Sequence, residues 1–126
     1  MAFYMVKSFS RFARSQRIPG ASLVAAGRRV VEGHAYADLG GGLYKQRVAR
    51  PGAGKSGGYR TVLAHRAHGH VFFLFGFAKN ARATISSRET RALAAWGDVL
   101  AELDAEQLAT ALRAGELQVL DDDQDS

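Results

Sequence analysis

Val71-Phe-Phe-Leu-Phe-Gly-Phe-Ala78 is the stretch on which the fold turns. Successive residues of a strand point to opposite faces. Here Val71, Phe73, Phe75 and Phe77 alternate with Phe72, Leu74 and Ala78, so both faces are apolar. A strand of that kind belongs in the middle of a sheet, with cover on both sides. Upstream, Tyr59-Arg-Thr-Val-Leu-Ala-His-Arg66 reads as a second strand, and the turn around His68-Gly69 joins the two as a hairpin. Residues 43–49 read as a third strand, linked to the second by the glycine-rich segment 51–58. Consecutive strands with short links pair antiparallel.

Helical patterns flank these strands. After a short strand or entry segment over 1–6, Ser8 is placed to cap a helix over 9–17, with Phe9, Phe12 and Ala13 on one face. Pro19-Gly20 stops it. A second helix over 21–32 carries Leu23, Ala26, Val30 and Val31, and Gly33 is its C-cap. Asp38-Leu-Gly-Gly-Gly42 reads as a loop. Ser86 or Ser87 caps a long helix to about residue 103 with Leu93, Trp96, Leu100 and Leu103 as its apolar face, and 106–114 adds a further helical turn or two. Helices segregated at the ends of the chain point to an α+β fold. One domain is expected over 1–114, followed by an acidic, flexible tail over 115–126.

The 126 residues contain no cysteine, which excludes a disulfide framework, a thiolate metal site and a cysteine nucleophile. The longest apolar run is far too short to span a bilayer, and Lys7, Arg11, Arg14 and Arg17 interrupt any signal-peptide core. A cytoplasmic protein without membrane partners is the expectation. Its net charge of +5 conceals an asymmetry: residues 1–97 hold sixteen Lys and Arg against three acids, residues 98–126 one Arg against nine acids. Residues 39–88 contain nine basic side chains and no acid. A single-sign surface of that size attracts polyanions, nucleic acid first among them. The absence of carboxylates along these strands also disfavours a magnesium nuclease, which needs oxygen ligands. Neither a metal nor a small-molecule cofactor is expected.

Ala49-Arg-Pro-Gly-Ala-Gly-Lys-Ser56 imitates a phosphate-binding P-loop. A working P-loop feeds directly into a helix whose amides converge on the phosphates. Here Gly57-Gly58 and a strand follow, and position 49 is not glycine, so nucleotide hydrolysis is set aside.

A different resemblance covers about residues 3–103. It rests on Phe9-Ser-Arg11, Asp38-Leu-Gly40, Gly41-Gly-Leu-Tyr-Lys-Gln-Arg-Val-Ala-Arg-Pro-Gly-Ala-Gly-Lys-Ser-Gly-Gly-Tyr-Arg60, Phe75-Gly-Phe-Ala-Lys-Asn80 and Ile85-Ser86 taken together. In that combination the chain resembles the HigB-like branch of the RelE/ParE toxin superfamily, the toxin halves of bacterial type II toxin–antitoxin pairs. The resemblance implies a microbial-RNase-like fold: two N-terminal helices and a C-terminal helix on a small antiparallel sheet. It implies metal-independent cleavage of mRNA, often on the translating ribosome, and an acidic antitoxin encoded adjacently. Some members of the superfamily instead inhibit DNA gyrase, and fold alone does not choose between the two, nor between either and a non-catalytic nucleic-acid-binding module.

Cutting RNA without a metal requires activating a ribose 2′-hydroxyl and stabilising a pentacoordinate phosphorus, which positioned Arg and Lys can serve electrostatically. Arg offers a two-pronged fork for phosphate oxygens and Lys a compact charge. Arg60 and Lys79 stand at the matching family positions and are the candidate catalytic residues. Arg47, Arg50, Lys55 and Arg82 are the candidate RNA-binding residues. The plainer reading of Arg60 is a strand residue paired with an acid of the C-terminal helix, and of Lys79 an edge charge. Tyr59 either stacks on a base or packs in the core. Asn80 and Ser86 stand where some ribosome-dependent relatives carry an Arg and an aromatic hydroxyl, so those roles do not carry over. His65, His68 and His70 are candidates for proton transfer, or exposed turn residues, or an adventitious metal site.

Overall fold

The computed structural model describes residues 1–50, 58–66, 68–82 and 84–120. The order is β1 (Phe3–Val6), α1 (Lys7–Ser15), α2 (Gly20–Val31), β2 (Ala37–Gly40), β3 (Leu43–Val48), β4 (Tyr59–His65), β5 (Val71–Ala78), α3 (Ser87–Ala101), α4 (Ala105–Arg113) and β6 (Leu117–Leu120). The fold is α+β, as expected, with one six-stranded sheet ordered β2-β3-β4-β5-β1-β6 among the described residues. Strands β2 to β5 form an antiparallel meander, whereas β1 runs parallel to β5 and antiparallel to β6. The sheet is therefore mixed rather than wholly antiparallel. A parallel neighbour needs a long crossover, and the chain between β1 and β5 supplies it.

The doubly apolar β5 lies inside the sheet, as its sequence requires. On one face α1 packs Phe9 against Phe73, ring centroids 5.2 Å apart. Gly76 lets α1 come this close: a β-carbon there would lie 2.5 Å from the Phe12 ring and 3.0 Å from that of Phe9. On the other face α3 brings Gly97 against Ala64 and Leu74.

Several local expectations change. Ser8 does not cap α1. The chain passes straight from β1 into the helix, Val6 is the N-cap without a side-chain bond, and the Lys7 amide donates to the Glu116 carbonyl. Residues 37–40 are not loop but an edge strand, turned into β3 at Gly41-Gly42, where φ is +61° and +80°. Positive φ at both central residues is the signature of a tight two-residue hairpin turn. Trp96 is not core but 39% exposed. The buried line of α3 is Leu93, Gly97 and Leu100, and at Gly97 a β-carbon would already stand 3.0 Å from that of Ala64. Ser86 caps α3 in a reciprocal capping box with Glu89. At the C-terminal end, residues 117–120, assigned in sequence to the tail, pair with β1 and bury Leu117 and Leu120. Residues 121–126 of that tail lie outside the described residues. No described helix is long and apolar enough to cross a membrane.

Candidate nucleic-acid interface

The meander gathers cations at one end of the sheet. Arg47 on β3 and Arg60 on β4 are direct cross-strand partners, and Phe77 on β5 stands opposite Arg60 on its other side. Residues opposite one another share a face, so the two guanidiniums point the same way. Arg60 is only 7% exposed, whereas Arg47 is open to solvent. Neither forms an ion pair with a carboxylate among the described residues. This overturns the plainer sequence reading, in which an acid of the C-terminal helix neutralises Arg60. Like charges directly opposite are unfavourable, and although the Arg60 stem is enclosed, none of its guanidinium nitrogens is both buried and unpaired, so the charged head faces outward beside Arg47. The β3–β4 register nonetheless holds them together, leaving a place where an anion lowers the energy.

Tyr36, just ahead of β2, joins the pair. Its ring centroid lies 4.4 Å from the Arg47 guanidinium carbon and 5.7 Å from that of Arg60, both within cation–π range. The Tyr36 amide donates to Gln46 Oε1 at 2.9 Å, and buried Gln46 donates through Nε2 to the Ala26 carbonyl of α2 at 3.2 Å. The Thr61 hydroxyl donates to the Gln46 carbonyl at 2.9 Å. The arginine pair and its tyrosine are thus tied to the helix layer behind the sheet. Tyr36 was not legible as a site residue, since nothing in its local sequence marks it.

Lys79 follows β5 directly and is exposed; its amide donates to the Gly58 carbonyl at 3.3 Å, which sets it at the same end as Arg60. Arg50, two residues past β3, is exposed there too. Lys55 lies outside the described residues. Arg82 is the exception among the predicted RNA-binding cations. Its guanidinium donates to both oxygens of Glu89, at 3.0 and 2.6 Å, and to the Thr84 carbonyl, and it lies over the rings of Phe77 and Phe75. Its charge is already matched, which makes it a wall of the site rather than a free anion contact.

Glu89 is a carboxylate the sequence reading did not expect near the basic strands; the fold brings it there from the start of α3. It serves no proton transfer near neutral pH. The hydrogen bonds from Arg82, then the bond from the Ser86 amide, lower its pKa to about 2, so it stays ionised.

The histidines are elsewhere. His65 ends β4 and pairs with Val71, while Arg60 pairs with Phe77 at the far end of the same ladder. Five residues of strand at about 3.4 Å each separate His65 from Arg60 by roughly 17 Å. His70 accepts from the Ala2 amide at Nδ1 and packs edge-on against Tyr4. His68 sits in the hairpin turn with φ +60°. None of the three reaches Arg60 or Lys79, and no group of metal-ligating side chains exists among the described residues. Tyr59 faces the helix layer: it is buried, packs edge-on against Phe12, and donates its hydroxyl to the Gln16 carbonyl at 3.4 Å.

The profile of the RelE toxin of the RelE / RelB toxin-antitoxin system matches residues 1–120, from the N-terminus to the end of β6. The chain belongs to the RelE toxin family. As a RelE-family toxin it is half of a toxin–antitoxin system, and an antitoxin is its partner. A search of curated protein sequences finds no match to the chain.

Proposed function

We propose that this RelE-family toxin is a metal-independent mRNA endoribonuclease of the HigB-like type, acting in the cytoplasm on translated messages. The observation that carries the reading is Arg60: a residue only 7% exposed, its guanidinium set against a second arginine, with no carboxylate paired to either among the described residues. A phosphodiester is the counterion such a pair lacks. In the cleavage, a ribose 2′-hydroxyl gives its proton to water as its oxygen attacks the adjacent phosphorus, the bond to the 5′-oxygen breaks and that oxygen takes up a proton, leaving a 2′,3′-cyclic phosphate and a free 5′-hydroxyl. Negative charge grows on the non-bridging oxygens and on the leaving oxygen. Arg60, held in place before substrate arrives, stabilises the former without reorganisation. Lys79 stands at the same end with an exposed ammonium for the leaving oxygen. Arg47 and Arg50 hold the backbone on either side.

Primer extension on mRNA from cells expressing the toxin tests this. New 5′ ends inside coding regions are expected, and their loss in Arg60→Ala. Unaltered message together with gyrase-dependent cleavage of supercoiled plasmid would replace the reading with gyrase inhibition. Unaltered message and unaltered plasmid, with RNA still bound, would reduce the protein to a binding module.

A further inference from the structure

Of the twelve aromatic side chains, Tyr36 is the most exposed, at 52%. Exposed rings are usually mobile. This one is fixed at the backbone by the Gln46 amide group, which is itself buried and tied to α2, and the next residue enters β2 opposite Lys45. Its ring is held by cations rather than by apolar packing, with Arg47 at 4.4 Å and Arg60 at 5.7 Å. A fixed, half-open ring beside two guanidiniums combines the two parts of a single-strand nucleotide site. A π-face receives a base, and cations receive the neighbouring phosphates.

We infer that Tyr36 is a base-stacking platform: an unpaired RNA base lies on its exposed face while Arg47 and Arg60 take the adjoining phosphodiester. This rests on the RNA reading above and adds to it a nucleotide subsite. The stacking role considered for Tyr59 in sequence belongs here instead, since Tyr59 is enclosed by α1. Stacking tolerates every base, so the subsite supplies affinity and register more than sequence choice. The cation–π contacts also explain how two arginines tolerate direct opposition: the electron-rich face of the ring lies against both.

A plain structural role for Tyr36, as a screen between two like charges, makes different forecasts, and a binding cycle separates them. The probe is a short single-stranded 2′-O-methyl RNA, which lacks the attacking hydroxyl and is not cut. Binding is read by fluorescence anisotropy at several salt concentrations, with thermal melts confirming that each variant folds. Tyr36→Phe keeps the π-face and is expected to bind as the wild type. Tyr36→Leu keeps bulk without the π-face and is expected to weaken binding about 5- to 150-fold, the range for one stacked base, with the salt slope unchanged. Arg47→Ala should instead lower the salt slope by about one. Placing a single abasic nucleotide along the probe should identify one position at which wild type and Tyr36→Leu bind equally, because a lost ring and a lost base then remove the same contact. That abasic scan on wild-type protein needs no variant: one position more sensitive than its neighbours is the expected result.

If Tyr36→Leu binds as the wild type while Arg47→Ala weakens, the platform is wrong and the RNA reading stands. An equal loss on every abasic probe with a reduced salt slope would make Tyr36 a screen for the arginines, which also overturns the platform. Wild-type protein that fails to bind the probe at low salt would sink the RNA reading itself.

Discussion

Glu89 does two jobs with one carboxylate: it closes the capping box of α3 with Ser86 and grips Arg82 at two points, 3.0 and 2.6 Å. Charge-assisted two-pronged pairs of this kind are the strong class of hydrogen bond. They fix the chain between β5 and α3 against the rings of Phe75 and Phe77, which form the floor beside the cationic site.

That pair makes stability depend on acid in a defined window. The pKa of Glu89 is lowered from its ordinary 4.5 to about 2 by Arg82 first and the Ser86 amide second. A depressed carboxyl contributes stability that is complete above the unfolded value and is lost as pH falls through the folded one. Glu89→Gln keeps the capping box, which glutamine also forms, and removes the charge. Thermal melts of the two proteins should differ by a constant amount above about pH 4.5 and converge toward pH 2. A difference that stays constant down to pH 2 would refute this account.

Arg60 and Lys79 are expected to act on rate, Arg47 and Arg50 on binding. Losing one preorganised donor to developing charge costs roughly 100- to 1,000-fold. Arg60→Ala and Lys79→Ala should therefore relieve growth arrest at matched expression. Arg47→Ala and Arg50→Ala should each weaken RNA binding and flatten its salt dependence by about one unit. Full growth arrest by both Arg60→Ala and Lys79→Ala would show that the catalytic residues lie elsewhere.

Gly58 is a pressure point. A β-carbon there would stand 2.8 Å from the Val48 carbonyl oxygen, a rigid backbone atom, and the Gly58 carbonyl receives the Lys79 amide. Gly58→Ala should part β3 from β4 where Arg47 and Arg60 meet. The expected loss is about 1–3 kcal/mol, as for other forced overpacking, with activity falling further than stability. A variant with wild-type melting temperature and wild-type cleavage would show that the strands accommodate the methyl.

His65, His68 and His70 should be dispensable for chemistry. A general acid or base contributes about 100-fold or more. His65→Gln and His68→Ala, single or combined, are expected to lose far less than that in single-turnover cleavage. A loss of 100-fold or more in a folded protein would return a histidine to the site and contradict the separation along β4.

The antitoxin should cover the face that runs from Arg47 to Arg82. An acidic partner there associates quickly and with strong salt dependence, and excludes RNA. Competition with a labelled RNA oligonucleotide checks this. A stable ternary complex of toxin, antitoxin and RNA at low salt would place the antitoxin on another surface, such as the N-terminal helices.

The meander was legible because its signals are local: alternation, an apolar strand with two buried faces, a turn at His68-Gly69. That Arg60 and Lys79 lie at one end of the sheet follows from the strand pattern, the one near a strand start and the other just past a strand end. What sequence concealed has physical causes. Trp96 carried weight in the helical pattern of α3 while Gly97 carried none, yet Gly97 is buried and a β-carbon on it would crowd Ala64. Tyr36 gains its place from a hydrogen bond to Gln46, ten residues away, and no periodicity encodes that. Glu89 sits one residue beyond the acid-free segment and folds back onto it. The distance between the histidines and Arg60, by contrast, was available from the rise of a strand alone.

The first strand of the chain is also among the last to be completed. β1 is held on one side by β5 and on the other by β6, and the Lys7 amide waits for the carbonyl of Glu116. A polypeptide emerging N-terminus first presents Phe3–Val6 more than a hundred residues before Leu117–Leu120 can close over it. Pairings so distant in sequence form slowly. The Arg47–Arg60 ladder, by contrast, closes within a single hairpin's reach. Assembly of this toxin is therefore expected to have an order: the cationic strands meet early, and the seam between β1 and β6 is sewn only when Leu120 has left the machinery that made it.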